Sequence, residues 1–145
     1  MKLDGEVTLP YNVAEVWKRI NDPEILKACI PGCEALERTD ENHFSAIVKL
    51  KIGPVSTRFK GRVELTDLDY PRSCKIVGAG EGGVAGFANG GAIVTLAEIP
   101  EGCKLTYNAE ANVGGKIAQL GTRLLDGVAR KFADMFFANF AKHGT

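Results

Sequence analysis

The sequence has few of the residues from which metal, redox or hydrolytic sites are built. Its 145 residues include two histidines, His43 and His143, and four cysteines. Only Cys29 and Cys33 lie close together along the chain, and a zinc site of the usual kind would need a second close pair. We therefore expect reduced, packed thiols and neither a metal site nor a covalently bound cofactor.

Long apolar runs and an excess of one charge are also lacking. No stretch reaches the roughly 18 apolar residues of a membrane span, and Asp4 and Glu6 lie where a signal peptide would need apolar side chains. The 18 basic residues balance 18 acidic ones, which argues against a dedicated nucleic-acid-binding protein. A hydrophobic content of 45% is typical of a globular protein. We expect one cytoplasmic domain over residues 1–145, with no nucleic-acid partner.

The common catalytic motifs are missing as well. The chain has no Gly-x-Ser-x-Gly, no His-Glu-x-x-His and no P-loop. Gly78-x-Gly80-x-x-Gly83 matches the dinucleotide-binding fingerprint, but strand-like residues follow it where that fingerprint opens a helix. Glycines inside strands are more typical of bulges and bends. We interpret this segment as part of a strongly curved sheet.

The first third of the chain predicts one strand and two short helices. Lys2–Leu9 alternates between apolar and polar residues, as a half-buried strand does. Asn12 is a suitable N-cap for a helix that ends near Ile20, and Asp22 is one for a second helix that stops before Pro31.

The rest of the chain predicts an antiparallel sheet followed by one long helix. Apolar residues recur with period two from Phe44 onward, so that each strand has one dry and one wet face. We expect these strands around residues 44–50, 55–65, 74–81, 87–98 and 104–110. Apolar residues then recur at steps of three and four from about Gly115 to Lys142, which predicts an amphipathic helix. The predicted fold class is α+β, with a curved antiparallel sheet of about seven strands wrapped around the C-terminal helix.

A curved sheet cannot collapse fully onto a single helix, and the remaining gap would form an apolar ligand pocket. Strand alternation and helical spacing assign twelve residues to the lining of this pocket: Phe44, Val48, Leu50, Phe59, Val63, Phe87, Ile93, Leu105, Tyr107, Leu120, Leu124 and Phe132. The Tyr107 hydroxyl either satisfies an internal hydrogen bond or orients a ligand carbonyl.

Three aromatic or basic features have less certain roles. His43 is expected in an exposed turn, and His143 in a frayed C-terminus. Phe137 lies about 100° around the helix from Phe136, so the two are difficult to bury together, and Phe137 is a candidate partner or membrane contact.

Charge is segregated along the chain even though the total is zero. Residues 45–63 carry five basic and no acidic residues, and residues 116–145 carry five basic and two acidic ones. Residues 1–44 carry five basic and nine acidic residues, and residues 64–115 carry three and seven. The outer face of the Lys49–Arg62 hairpin is therefore basic. A solvated face and an attraction to an anionic bilayer or an acidic partner are both open.

Five segments of the chain resemble the G-subunit family of carbon monoxide dehydrogenase, within the START-like (SRPBCC) helix-grip superfamily. The resemblance is carried by Asn21-Asp22-Pro23-Glu24-Ile25-Leu26-Lys27-Ala28-Cys29-Ile30-Pro31-Gly32-Cys33, by Val48–Val55, by Phe59-Lys60-Gly61, by Gly82–Ala88 and by Val113–Gly121.

The resemblance implies a helix-grip fold and an accessory protein of a molybdenum-containing carbon monoxide dehydrogenase-type hydroxylase. Such a protein would bind a lipophilic molecule such as a quinone and help the enzyme meet the cytoplasmic membrane, without catalysing a reaction itself. Any membrane contact is expected to be peripheral. Two alternatives stay open: a START-like cyclase or hydrolase that acts on a hydrophobic small molecule through Tyr107, and a structural assembly factor with a filled core.

Overall fold

A seven-stranded antiparallel sheet and three α-helices make up the protein, in a computed structural model that describes residues 1–143. The strand order across the sheet is β1-β7-β6-β5-β4-β3-β2, so every pair of neighbours except β1 and β7 is consecutive in the chain. The strands are β1 (Lys2–Leu9), β2 (Cys33–Asp40), β3 (His43–Ile52), β4 (Val55–Asp69), β5 (Ser73–Glu81), β6 (Phe87–Ile99) and β7 (Gly102–Gly114). The helices are α1 (Val13–Ile20), α2 (Pro23–Cys29) and α3 (Thr122–Lys142). The predicted α+β class and strand number are confirmed.

Both short helices begin where the sequence predicts. The side chain of Asn12 accepts a hydrogen bond from the backbone N–H of Glu15 at 2.8 Å. Asp22 Oδ1 accepts one from the backbone N–H of Glu24 at 3.0 Å, with Pro23 in the first turn. These caps satisfy amides that a helix leaves unpaired at its start.

Two elements differ from the prediction. The sequence pattern does not reveal the edge strand β2, because most of its second half is exposed and polar and it pairs with β3 through two register shifts. The long helix begins at Thr122 and not near Gly115. Gly115 and Gly121, at φ of 80° and 95°, interrupt it, and a separate 3₁₀ turn at Lys116–Leu120 lies between them.

Helix α3 packs on one face of the sheet, which we call the inner face, through two separate apolar clusters. The first, the C-terminal cluster, joins Phe136, Phe137 and Phe140 of α3 to buried residues of β1, β6, β7 and α1. The second, the N-terminal cluster, joins Leu125 and Val128 of α3 to residues around the β3–β4 hairpin and the 3₁₀ turn. The helix is thus held near its two ends.

The C-terminal end of α3 is tied to α1 and α2, which corrects the expectation that His143 lies in a frayed segment. Tyr11 Oη donates to the carbonyl oxygens of Ala141 at 3.0 Å and His143 at 2.9 Å. Arg19 Nη1 donates to the same His143 carbonyl at 2.8 Å. Asn139 Nδ2 donates to the carbonyl of Cys29, at the end of α2, at 3.0 Å. Backbone carbonyls at the C-terminal end of a helix lack intrahelical hydrogen-bond donors, and the side chains of Tyr11 and Arg19 donate to them here.

Phe137 is also placed differently from the prediction. Its ring stacks on Tyr107 with the ring centroids 5.4 Å apart, while Phe136 packs edge-on against it at 5.0 Å. The curvature of β1 and β7 around α3 covers a second side of the helix, so that both phenylalanines are half-buried.

Candidate functional site

The middle of the inner face, between the two clusters, carries residues that pack into neither of them. Ala46, Val48, Gly61, Val63 and Gly78 form this surface, and all five are only half-buried. None of them belongs to either cluster. We call the space above them the central gap.

The floor of the central gap is made of glycines, and no atom of α3 lies close to them. A Cβ placed on Gly78 would have its nearest neighbours at 3.6 Å (Arg62 O) and 3.7 Å (Val63 Cγ2). Gly61 and Gly80 pair with each other across β4 and β5, and a Cβ on either would have no neighbour closer than 3.6 Å. All these neighbours belong to the sheet itself, so no atom of α3 lies within 4 Å of the three positions.

Phe132 is the α3 side chain at the level of the central gap. It lies seven residues after Leu125 of the N-terminal cluster and four before Phe136 of the C-terminal cluster, so the three share one face of the helix. Phe132 is half-buried and belongs to neither cluster. Phe132 is therefore the residue between the two clusters on the face of α3 that carries Leu125 and Phe136.

The twelve residues predicted to line one pocket fall into five groups. Leu105 and Tyr107 belong to the C-terminal cluster, and Leu50, Phe59 and Leu120 to the N-terminal one. Phe44, Val48, Val63 and Phe132 lie on the inner face or on α3 outside both clusters, next to the central gap. Leu124 lies on an exposed side of α3, 38% accessible, and Phe87 and Ile93 lie on the opposite face of the sheet.

Phe87 and Ile93 are corrections to the predicted lining. Val94 faces inward, next to Tyr107 in the register of β6 and β7, so Ile93 and Phe87, one and seven residues away, face outward. They are 52% and 49% exposed. The assignment failed because β6 carries apolar residues on both faces, and alternation then does not identify the inner one.

Tyr107 is packed and hydrogen-bonded inside the C-terminal cluster. Its ring is 8% exposed and lies between Phe137 and the backbone of Gly5. Its hydroxyl accepts a hydrogen bond from Arg130 Nη1 at 3.1 Å, and Arg130 Nη2 also donates to the Asp4 carbonyl at 2.7 Å. Of the two roles open to this hydroxyl, these contacts favour the internal hydrogen bond.

The thiols and the exposed histidine form no candidate metal or catalytic centre. All four cysteines are free; Cys29, Cys74 and Cys103 are buried, and burial raises the pKa of each thiol. His43 Nδ1 lies 2.7 Å from Asp40 Oδ1, and its Nε2 lies 3.4 Å from Glu64 Oε2. The hydrogen bond to Asp40 is the main cause that raises the His43 pKa. Within residues 1–143 no group of three or more potential ligands comes together for a metal ion.

An open apolar groove of about 540 Å³ runs along α3 beside the N-terminal cluster. Leu120, Leu124 and Val128 form its apolar part, and Arg123 and Lys131 form its rim. A Cβ on Gly53, at the tip of the β3–β4 hairpin, would lie 3.0 Å from Leu124, so the groove begins at that hairpin.

Comparison with known proteins agrees with this architecture. Residues 5–143 match the family described as the G subunit of carbon monoxide dehydrogenase (CoxG). The chain belongs to the CoxG family. No functionally curated protein is detectably similar to it.

Solved structures extend the likeness from the family to the fold. A conserved protein from Geobacillus kaustophilus is 37% identical with a TM-score of 0.91, over 98% of this chain and 93% of that one. Protein CV1439 from Chromobacterium violaceum is 12% identical with a TM-score of 0.70, over 98% and 96% of the two chains. The Zhui aromatase/cyclase from Streptomyces sp. R1128 is 13% identical with a TM-score of 0.64, over 97% and 91%. The fold of this CoxG family member is thus the START-like helix-grip fold.

The residues that sequence reasoning missed in this CoxG family member are the small ones. Ala46, Gly61, Gly78 and Gly80 have no side chain that a search for apolar lining residues would select. The signal was nevertheless present, because these residues occupy inward positions of strands whose inward neighbours are Val48, Val63 and Phe59. A glycine at an inward strand position leaves space above the sheet unless another element fills it.

Proposed function

We propose that the protein is a non-catalytic accessory protein that binds a lipophilic molecule, such as a quinone, in the central gap. In this role it helps a molybdenum-containing carbon monoxide dehydrogenase-type hydroxylase meet the cytoplasmic membrane. The observation that carries the binding proposal is the uncovered glycine floor, because α3 is held at both ends and leaves the middle of the inner face without a packing partner.

The chemistry of the central gap suits an apolar ligand. Its floor and walls are glycine, alanine, valine and phenylalanine, and no charged side chain points inward from β3 or β4 between Phe44 and Val63. One cation borders this surface, because the Arg38 guanidinium of β2 lies over the Phe44 ring, 5.1 Å from its centroid. When a ligand covers half-exposed apolar surface, the removal of that surface from water makes the free energy of binding more favourable. A quinone offers a flat ring and a hydrocarbon tail, and both match such a surface.

The partner in this proposal follows from the family. Its description names a subunit of carbon monoxide dehydrogenase, and within residues 1–143 no group of three or more potential metal ligands comes together. Presentation of a ligand, or recruitment of the enzyme, is therefore the simplest role. No helix among these residues is long and apolar enough to cross a membrane.

A larger side chain on the sheet side of the central gap tests the binding proposal. Gly78→Leu should place a side chain above the floor, since a Cβ there meets only ordinary van der Waals neighbours. The matched control is Ala79→Leu, because Ala79 is the next residue of β5 and its side chain therefore points to the opposite face of the sheet. Both proteins are purified from the native host, extracted with organic solvent and assayed by mass spectrometry. Binding of a short-chain quinone is measured in parallel.

We expect the wild type and Ala79→Leu to yield the same hydrophobic molecule and to bind the quinone, and Gly78→Leu to do neither while unfolding at a similar temperature. Equal ligand content in Gly78→Leu and Ala79→Leu would place the ligand elsewhere. An empty wild-type protein that also fails to bind the quinone would overturn the binding proposal.

A further inference from the structure

The two ends of the sheet carry opposite charge. At one end, residues 40–42, 67–72 and 98–101 carry six acidic residues and one basic residue, Arg72. At the other end, residues 49–60, 81–87 and 114–123 carry six basic residues and one acidic residue, Glu81. We call these the acidic end and the basic end. Antiparallel pairing gathers into one place charges that are far apart in the sequence.

Most cations of the basic end are unpaired. Arg58 is neutralised by Glu34 of β2, whose carboxylate accepts from Arg58 Nε at 2.6 Å. The side chains of Lys51, Lys60, Lys116 and Arg123 are exposed, and within residues 1–143 they make no hydrogen bond or ion pair. Lys60 lies opposite Glu81 in the register of β4 and β5. Their charge is available to a partner.

An almost fully exposed aliphatic side chain stands among these cations. Val84 is 93% exposed, more than any other large hydrophobic residue of the described chain. It lies in the 3₁₀ turn Gly83–Ala85 between β5 and β6, and the next residue, Ala85, packs beside Ile117 of the neighbouring turn that carries Lys116. The short turn is therefore anchored on one side and presents Val84 on the other.

The unpaired cations of the basic end are mostly lysines, which favours a lipid membrane over a protein as the partner of this surface. Three of the four unpaired cations are lysines, which are depleted in protein–protein interfaces, whereas arginine and aromatic residues are enriched there. An anionic membrane is instead recognised by the summed charge of exposed lysines, at about 1 kcal/mol each. One exposed valine adds shallow insertion.

We propose that the basic end docks onto an anionic bilayer, with Val84 directed into the headgroup layer and the acidic end directed away from it. This inference rests on the membrane role proposed above and adds the surface and the orientation. The α3 groove begins at the same end, next to the β3–β4 hairpin. Docking in this orientation brings the groove to the membrane surface, which gives a lipophilic molecule a short path between bilayer and protein.

Vesicle co-sedimentation of the full chain tests this orientation. The vesicles are phosphatidylcholine with or without phosphatidylglycerol, and the variants are Lys51→Gln/Lys116→Gln at the basic end and Arg72→Gln/Lys75→Gln toward the acidic end. Both double variants lower the net charge equally. We expect about a fivefold weaker affinity for anionic vesicles per charge removed at the basic end, and little change for Arg72→Gln/Lys75→Gln. Val84→Ser should give a smaller loss of affinity for anionic vesicles, and added salt should not abolish this difference from the wild type.

Three results would overturn the inference. The wild type could fail to bind anionic vesicles, the two double variants could weaken binding equally, or the basic-end variants could bind vesicles normally and lose binding to the hydroxylase. The last result would make this end a protein-docking surface. Thermal unfolding of each variant checks that the fold is intact. The ligand content of the wild type is measured separately, so that failure of membrane docking is distinguished from failure of ligand binding.

Discussion

The C-terminal cluster and the central gap lie under the same helix but are packed in opposite ways. In the cluster, Leu9, Val16 and Phe140 are at most 1% exposed, and rings fill the space between α3 and the sheet. In the gap, glycines replace side chains, and no atom of α3 lies within 4 Å of a Cβ placed on Gly61, Gly78 or Gly80. The difference indicates that α3 packs on the sheet mainly near its two ends and leaves the glycine positions between them uncovered.

The largest effect that this comparison predicts is at Phe140. Phe140→Ala would remove a ring that is 1% exposed and that contacts Tyr11 and Phe136, so the free energy of unfolding should fall by about 3–5 kcal/mol. Met135→Ala, on the same helix but 44% exposed, should cost less than about 1 kcal/mol. Urea unfolding of the two variants measures the contrast. Similar losses in both would mean that α3 is not held mainly by its C-terminal cluster.

Alanine substitutions at two glycines, Gly5 next to Tyr107 of the C-terminal cluster and Gly78 in the central gap, test the difference in packing more directly. A Cβ on Gly5 would lie 2.6 Å from Cζ of Tyr107, whose ring cannot retreat because Phe137 stacks on it and Arg130 holds its hydroxyl. Gly5→Ala should therefore destabilise the protein by about 1–3 kcal/mol. Gly78→Ala should be neutral, or stabilising by up to about 1 kcal/mol, because the site is open and alanine restricts the unfolded chain. Urea unfolding of the two variants measures both changes.

A double-mutant cycle checks the cause assigned to Gly5. In a Tyr107→Leu background the cost of Gly5→Ala should largely disappear, since the ring it would strike is absent. A cost that persists in that background would assign the effect to the backbone of β1 and not to packing against Tyr107.

Most of the fold is predictable from the sequence because its local signals agree with the final packing. Caps at Asn12 and Asp22, alternation in β1, β3 and β4, and the apolar stripe of α3 all have causes within a few residues. Prediction fails at β2, where an edge strand needs no clear apolar pattern, and at the start of α3, where Gly115 and Gly121 adopt positive φ values that the apolar spacing does not indicate.

The candidate site is predictable only in part. Periodicity assigns Val48, Val63 and Phe132 inward, and they lie beside the central gap. Periodicity does not identify the floor, because its glycines have no side chain to assign. The space that they leave becomes a candidate site only when the position of the helix relative to the sheet is known. Phe87 and Ile93 are assigned to the wrong face for the opposite reason, since their strand is apolar on both sides.

The smallest effect is expected at the acidic end, outside both packed regions, where His43 lies between Asp40 and Glu64. The hydrogen bond to Asp40 raises the His43 pKa above its usual value of 6.5, so the folded protein binds this proton more tightly than the unfolded chain. The resulting stabilisation is complete below about pH 6.5 and is lost as the pH rises through the raised pKa. Urea unfolding between about pH 6 and pH 8.5 should show this slight fall in the wild type and not in His43→Gln, which keeps a polar side chain but cannot titrate. The same slope in both proteins would assign the pH dependence to another group, and a His43 pKa at or below 6.5 in an NMR titration would contradict the contact with Asp40.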